Sequence, residues 1–550
     1  MPAFGQTLLD RADDDRPALL FGDRTWSYRA LVDEGRRRAG LFDAVRDPDR
    51  PPHVGVLLHN VPDYLFWLVA GAIARSVVVG INSTYRGAQL AQLVEHTDCQ
   101  LLVTSTDLLP LLDGVAAVPD DRLLVVDTDD HRTALAEAAP FEVVDPPTDD
   151  DLYLLVFTSG STGLPKAVRC TQGRMGRTGA HVAGFAGLTY DDVTYAPLPF
   201  FHAASLFTGW AAAVHAGIPL ATRERFSASG TVPDIRRVGA TFLTYTGKVL
   251  NYLVATPEAP DDATVPLRLA IGNEASEHDI RTFARRFDCD VRDSYGSTEG
   301  VIIVRRDPSM PAGALGRAAD TVLVLDPDTE AECPRATVDE HGRVTNLGEA
   351  VGELVETAPT SGFEGYYRNE AATEERFRDG AYWSGDLAYR DPDGWLFFAG
   401  RTNDWLRVDG ENFAAGPVEQ ILARHPDVRS VAVYAVPDDP VGDRVMAALE
   451  LHPGADFDAA GFDRFLDDQP DLGTKWRPGF VRVDDDLPKL SSLKIDKKRL
   501  RADGWTAPSV HWRPTRTDGL RPLDAADLAD LAPLLDPAAG AASARGGALR

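Results

Sequence analysis

Short apolar runs that end at glycine or polar clusters recur along the chain: VGVLLHN at 54–60, LLV at 101–103, LLVVD at 123–127, LYLLVF at 152–157 and LRLAIGNE at 267–274. Runs without an alternating polar position predict strands buried on both faces. Segments with the three-to-four-residue apolar repeat of a helix separate them, such as ALVDEGRRRAGLF at 30–42 and EHDIRTFARRF at 277–287. Doubly buried strands alternating with helices imply an α/β fold with mostly parallel sheets, because parallel neighbours need a crossover long enough to hold a helix. The most membrane-like stretch, YLFWLVAGAIARSVVVGI at 64–81, carries Arg75. It predicts a buried helix running into a strand, and no stable membrane insertion.

The pattern changes near residue 400. WLFFAGR reads as a strand ending at Gly400–Arg401, and a compact series follows. GPVEQILARHP predicts a helix, SVAVYAVPDD and DRVMAALEL predict strands, and AAGFDRFLDD predicts another helix. The expectation is a large N-terminal domain of α/β layers over 1–400 and a small α+β domain of about 100 residues after it. Beyond 535 the Ala/Gly-rich DPAAGAASARGGALR predicts a disordered end to a C-terminal extension that begins at 513.

Composition narrows the partners. A formal charge of −28 opposes nucleic acid or an anionic membrane as a general partner, since the long-range field repels both. It leaves room for a local cationic pocket that takes a small anion. Only seven of the 56 basic residues are lysines. The four cysteines, Cys99, Cys170, Cys289 and Cys333, form no CxxC pair, which favours neither a disulfide framework nor a zinc site and makes a reducing cytoplasm the expected location. The first residues, MPAFGQTLLDRADDD, lack the basic and apolar regions of a signal peptide. A homodimer is the one assembly held open.

The sharpest chemical signal follows the strand LYLLVF: Thr158, Ser159, Gly160, Ser161, Thr162, Gly163, Leu164, Pro165, Lys166. Glycines and small hydroxyl residues let backbone N–H groups approach a phosphate closely, and Lys166 supplies a point charge. The Walker pattern is absent. A Ser/Thr/Gly cluster alone is commonly a surface loop; one fixed to a buried strand and closed by Pro-Lys points to a phosphate cradle.

With that loop the sequence resembles the adenylate-forming superfamily of acyl-CoA synthetases, peptide-synthetase adenylation domains and luciferases, whose loop reads [ST]-S-G-[ST]-T-G-x-P-K. The likeness spans roughly 15–510, with further motifs in the expected order. PLPFFHAAS at 197–205 resembles the aromatic/His motif beside the acyl pocket, and DSYGSTEG at 293–300 the adenine and metal motif. YWSGDLAYRDPDGWLFFAGR at 382–401 resembles the ribose-binding region. RVDGENFAAGPVEQIL at 407–422 resembles the segment used in thioester formation, and LPKLSSLKIDKKRL at 487–500 the stretch with the catalytic lysine. TFLTYTGKVLNYLVATPE at 241–258 and LRPLDAADLADL at 520–531 lean toward fatty-acid transport protein-like and actinobacterial long-chain acyl-CoA synthetases.

The resemblance implies a role for each position. Glu299, with Thr158, would hold Mg2+, a hard cation that prefers carboxylate and phosphate oxygens. Thr298 would donate to the α-phosphate and Tyr295 would stack on adenine, with Gly296 and Ser297 between them and the Gly272-Asn273-Glu274 backbone beside the base. Asp386 can accept both ribose hydroxyls, and the planar fork of Arg401 suits ribose or phosphate oxygens. Lys494 would offset charge gathered in the adenylation transition state; locally, Lys494, Lys497 and Lys498 read equally as a solvated basic helix face. Leu493 departs from the small or polar residue usual before that lysine. Residues 401–404 would form a hinge ahead of a mobile lid over 405–512, with Asn403 where many relatives carry Asp. Gly410, Glu411 and Asn412 would form the face presented during thioester formation. His202, Trp210, Tyr245 and Lys248 are candidates for the acid pocket. His202 reads as a pocket wall rather than a base, since the acid is already ionised at neutral pH. Trp210 reads as tunnel wall or core, and Lys248, where relatives often have Glu, as a changed ion pair.

The implied reaction joins ATP and an acid to an acyl-adenylate, then transfers the acyl group to coenzyme A. ATP, Mg2+, CoA and a small hydrophobic or fatty acid are the expected ligands. A second reading passes the adenylate to a carrier protein or amine, or activates an unusual acid such as nitrite. A third, an inactive nucleotide- or lipid-binding relative, is opposed by Lys166, Glu299, Asp386, Arg401 and Lys494 occurring together.

Overall fold

The structure, a computed structural model, describes residues 2–531 except 114, 116–119, 159–164, 308, 312, 328, 338–343, 360–361, 402–404, 409–410, 439–441, 470–471, 474, 491–494 and 516–517. Two compact units divide the chain: one runs to residue 308 and takes back 358–380, and the other holds 309–357 and the remainder from 381.

The first unit is built on two largely parallel sheets. One has the strand order Leu123–Val125, Leu101–Thr104, His53–Val56, Val77–Gly80, Leu152–Thr158, Lys166–Thr171, with only the final pair antiparallel. The other runs Ile303–Arg305, Asp290–Gly296, Leu269–Asn273, Phe242–Thr246, Thr194–Tyr195, Leu220–Thr222, Pro17–Phe21, Arg24–Ser27, antiparallel at its two edges. The runs at 54, 101, 123, 152 and 267 therefore fall on strands, and His53–Val56, Val77–Gly80 and Leu101–Thr104 are buried at every position.

The segment at 64–81 folds as a helix, Pro62–Ala74, followed by the strand Val77–Gly80. Proline at the first turn starts the helix without losing a hydrogen bond, and Arg75 ends it in the left-handed conformation. Its buried residues face all ways round the axis, as befits an interior helix. Among the described residues no helix is long and apolar enough to cross a membrane. The helix Glu277–Phe287 carries its own boundary signals. Ser276 accepts from the Asp279 N–H, acids occupy the first turn, and Arg285 and Arg286 the last.

The second unit contains an antiparallel sheet of Val322–Leu325, Gly352–Glu356, Ala381–Arg390 and Leu396–Arg401. It also holds a mixed sheet in which Val428–Asp438 lies along Gly442–Leu451, which in turn pairs in parallel with Phe480–Asp484. Helices Ala415–Leu422 and Ala459–Asp467 bury Val418, Leu422, Phe462 and Leu466 against that sheet in one apolar cluster. Both helices and both long strands stand where the apolar pattern after residue 400 puts them.

Candidate functional site

Strand Leu152–Thr158 precedes residues 159–164 and strand Lys166–Thr171 follows them, with Thr158 directly opposite Lys166 in the antiparallel register. Ser159, Gly160, Ser161, Thr162 and Gly163 lie outside the described residues. The Lys166 side chain turns inward and is 13% exposed. Its Nζ sits 3.4 Å from Glu375 Oε2 and 5.3 Å from the ring centre of Tyr366. Glu375 is largely in solvent, so this ion pair is weak and easily exchanged for another anion.

Glu299 lies beneath the other side of this arrangement, buried at 8% exposure. The Tyr366 hydroxyl donates to Glu299 Oε1 at 2.7 Å. Burial and the neighbouring Glu299 push the Tyr366 phenol well above its usual range, so it stays a donor. Tyr366 is the sole hydrogen-bond partner of the Glu299 carboxylate among the described residues, which leaves Oε2 for a further ligand. A partly desolvated carboxylate with one oxygen unoccupied among the described residues, sharing a tyrosine with a lysine, fits a hard divalent cation.

The turn that carries Glu299 is held from below by Arg174. This buried guanidinium donates to the Thr298 carbonyl and, at 3.0 Å, to the Arg169 carbonyl, and lies over the Phe207 ring. Ser297 O accepts from the Gly300 N–H at 3.0 Å, closing the turn. Gly300 has φ +71°, and a Cβ there would meet Arg174 Nη2 at 2.9 Å, so the tight turn over the guanidinium requires glycine. Gly296 ends the strand whose Tyr295 pairs with Val304.

Beside that strand, Gly272 pairs with Tyr245 on one side and Asp293 on the other. A Cβ on Gly272 would meet the Tyr245 carbonyl at 2.2 Å and its ring at 2.5 Å. Asp293 Oδ2 accepts from the Tyr245 hydroxyl and from the Ala275 N–H, both at 3.0 Å. Glu274 adopts φ +64°, and its carbonyl lies where a Cβ on Gly247 would be 1.8 Å away. The Gly272-Asn273-Glu274 backbone is thus clamped between the strand carrying Asp293 and the start of helix Gly247–Val254. The Asn273 Oδ1 atom is buried with no hydrogen-bond partner among the described residues.

Burial raises the Asp293 carboxyl to about 6, against the lowering pull of its two donors and Arg306. A carboxyl that binds its proton more tightly in the fold than its unfolded value of about 3.9 contributes stability that is complete at acid pH and lost as pH rises through 6. Asp293→Asn keeps an acceptor and removes the charge. Its unfolding temperature relative to the parent is therefore expected to improve between pH 5 and pH 7.5; thermal unfolding at both pH values checks this.

The acid-pocket candidates separate. The His202 ring lies against Phe201 with centroids 4.5 Å apart, ahead of the π-helical turn Ala204–Ala211. Trp210, on that turn, is 2% exposed, donates Nε1–H to the Tyr153 hydroxyl at 3.4 Å and sets its edge on Phe4. That is its core alternative. Lys248 is half-buried in the first turn of helix Gly247–Val254.

In the second unit, Asp386 stands opposite Arg401 in the antiparallel register. The Asp386 N–H donates to Ser384 Oγ at 3.1 Å, and the preceding Gly385, at φ +73°, donates to buried Glu353 at 2.6 Å. Asp386 is 9% exposed. For Arg401, Glu411 and Asn412 the backbone alone is described, and Asn403, Gly410, Leu493 and Lys494 lie outside the described residues. On either side of 491–494, Lys489 bridges to Ile495 and the Asp496 N–H donates to the Pro488 carbonyl at 2.8 Å. Lys497 pairs with Glu419 at 2.9 Å, Lys489 pairs with the buried Glu450 at 3.4 Å, and Lys498 is exposed. Sequence reasoning missed Tyr366, Arg174 and Asp293. The adjacent aromatics of EGYYRN at 364–369 were the available signal, with nothing along the chain to tie them to residue 299.

A model of the AMP-binding enzyme family matches residues 9–367, and a model of the AMP-binding enzyme C-terminal domain matches 417–494. The chain is similar to the steroid-22-oyl-CoA synthetase of Rhodococcus jostii, 46% identical over 92% of each chain. It is 44% identical to the medium/long-chain-fatty-acid–CoA ligase FadD17 of Mycobacterium tuberculosis, over 93% of this chain and 98% of that one. Among solved structures, ATP-bound MatB from Rhodopseudomonas palustris has the same fold, with TM-score 0.78 at 24% identity over 91% of this chain and 98% of the other.

Proposed function

Because the chain belongs to the AMP-binding enzyme family, we propose that the acid it activates is large and apolar, of the long-chain fatty or steroid side-chain class. The activity is ATP-dependent formation of acyl-CoA, with ATP, Mg2+ and coenzyme A as co-substrates and cofactor. One observation carries the site assignment: Lys166 and Glu299 converge on the same buried aromatic ring, so a cation for phosphate and a carboxylate for its metal share one corner of the first unit.

The acid carboxylate attacks the α-phosphate in line, pyrophosphate leaves, and the acyl carbon gains AMP as leaving group. Little covalent work falls to the protein, which positions the reactants and offsets charge. Lys166 neutralises the departing phosphates, Thr298 steadies the α-phosphate, and Tyr295 with the clamped Gly272-Asn273-Glu274 backbone holds adenine. Asp386 and Arg401, paired across two strands, hold ribose. Glu299, with Thr158, holds Mg2+, which shields phosphate charge when bound. Lys494 acts at the adenylation step; rotation about 401–404 then exchanges it for the 410–412 face, beside which the CoA thiol displaces AMP. A division near 400 is supported by the family match ending at 367 and the C-terminal match beginning at 417.

The apolar acid is supported by the acids named for the two relatives. A cytoplasmic site is supported by four free cysteines, three of them buried. Transfer to a carrier protein or amine, and activation of nitrite, are not favoured, since both relatives are named for CoA thioesters. Acid-dependent pyrophosphate release over fatty, steroidal, aromatic and small inorganic acids tests the class. The largest kcat/KM is expected for the long or polycyclic acids; a maximum at nitrite or a short polar acid would refute it.

A further inference from the structure

The tyrosine between Lys166 and Glu299 is more than a landmark. Tyr366 is 5% exposed and fixed on every side. Its N–H donates to Thr373 Oγ1 at 3.0 Å, it bridges to Val168, and Phe363 meets its ring edge-on at 4.9 Å. The next residue anchors the segment again: the Tyr367 N–H donates to the Ala167 carbonyl and its hydroxyl to Asp98, both at 2.8 Å. Glu364 accepts from the Thr171 N–H and hydroxyl at 2.7 Å. Residues 364–367 therefore form a strap tied to the strand that leaves the phosphate loop, with the Tyr366 ring unable to swing away.

We propose that Tyr366 is a positioning residue for adenylation, its hydroxyl orienting the Glu299 carboxylate toward the divalent cation carried with ATP and its ring face holding the Lys166 ammonium beside the phosphate loop. The inference rests on the functional reading above. The hydroxyl occupies Oε1, so Glu299 presents Oε2 alone and does not rotate between equivalent poses. Partners that orient a metal-binding side chain are typically worth about 10–100-fold in metal affinity. The ring supplies a negative face to an ammonium whose only other described partner is the solvent-exposed Glu375. When phosphate arrives, Glu375 is displaced and the ring remains, so Lys166 is already aimed.

The two roles separate by substitution. Tyr366→Phe keeps the ring and the packing and deletes the hydroxyl. Binding of Mn2+ to the enzyme with a non-hydrolysable ATP analogue, read by electron paramagnetic resonance without acid or CoA, is expected to weaken about 10-fold or more. The Mg2+ concentration for half-maximal pyrophosphate release should rise by a similar factor. KM for ATP at saturating metal should stay within about twofold, because the ring still faces Lys166. Tyr366→Leu, which also removes the ring, should raise that KM in addition. Unchanged Mn2+ binding in the Phe variant would overturn the role toward Glu299, and equal KM for ATP in the two variants the role toward Lys166. If the parent enzyme itself bound no Mn2+ with the analogue, the adenylation reading would fail, and this inference with it.

Discussion

Lys494→Ala is expected to cut acid-dependent ATP–pyrophosphate exchange by on the order of 100-fold or more while leaving thioester formation from supplied acyl-adenylate largely intact. The ammonium is needed only where negative charge gathers between the carboxylate and the α-phosphate, so its removal should strike the first half-reaction alone. Lys489 is committed to Glu450 and Lys497 to Glu419, whereas exposed Lys498 belongs to the following helix, Lys497–Asp503, whose Asp496 cap holds its first turn. The bridge between Lys489 and Ile495 does not involve Lys494, so the variant is expected to fold, with far-ultraviolet circular dichroism as the check. Lys498→Ala is the control, with exchange expected within about twofold of the parent, as for an exposed surface change. Exchange surviving in Lys494→Ala, measured with labelled pyrophosphate, would remove Lys494 from its assigned role.

Glu299→Gln should be comparably severe, and for a different reason. The amide keeps an oxygen to accept from the Tyr366 hydroxyl and fills the same volume, so the turn over Arg174 should survive. What disappears is the negative charge offered to a hard cation. Adenylation is expected to fall by about 100-fold or more, with added Mg2+ unable to restore it. Thermal stability without nucleotide should hold or improve, since a buried carboxylate no longer has to be desolvated. Steady-state rates across an Mg2+ series, alongside unfolding temperatures, test both halves. A variant with a rate near the parent's would place the metal elsewhere.

Local patterning carried much of the fold. The doubly apolar runs at 54, 101 and 152 became strands because burial on both faces leaves no alternation to misread. The helix-to-strand passage at 64–81 was signalled by its apolar run with Arg75 within it. Motif chemistry likewise pointed to Thr158, Lys166, Glu299 and Asp386. Hidden were the contacts that join distant segments. Tyr366 meets Glu299 only because 358–380 returns to the first unit, while 309–357 belongs with the second. No periodicity along the chain encodes that return. The π-helical turn Ala204–Ala211 was equally invisible, since an apolar ASLFTGWA suits any helix. A solvated basic helix face is one sequence reading of Lys497 and Lys498; Lys498 is exposed, but Lys497 is drawn into an ion pair by Glu419 from a helix far earlier in the chain. Trp210 reads from its sequence neighbours as tunnel wall or core; in the fold it is buried with its indole N–H on Tyr153, a contact between residues 57 positions apart.

The chain belongs to the AMP-binding enzyme family, and its activity is ATP-dependent formation of acyl-CoA. The most direct test is the stoichiometry of AMP release and thioester formation with a long-chain or steroidal acid, with and without CoA. One AMP and one acyl-CoA per acid consumed, with steady turnover only when CoA is present, is the predicted result. Undiminished AMP release without CoA, or no AMP with any acid, would contradict it.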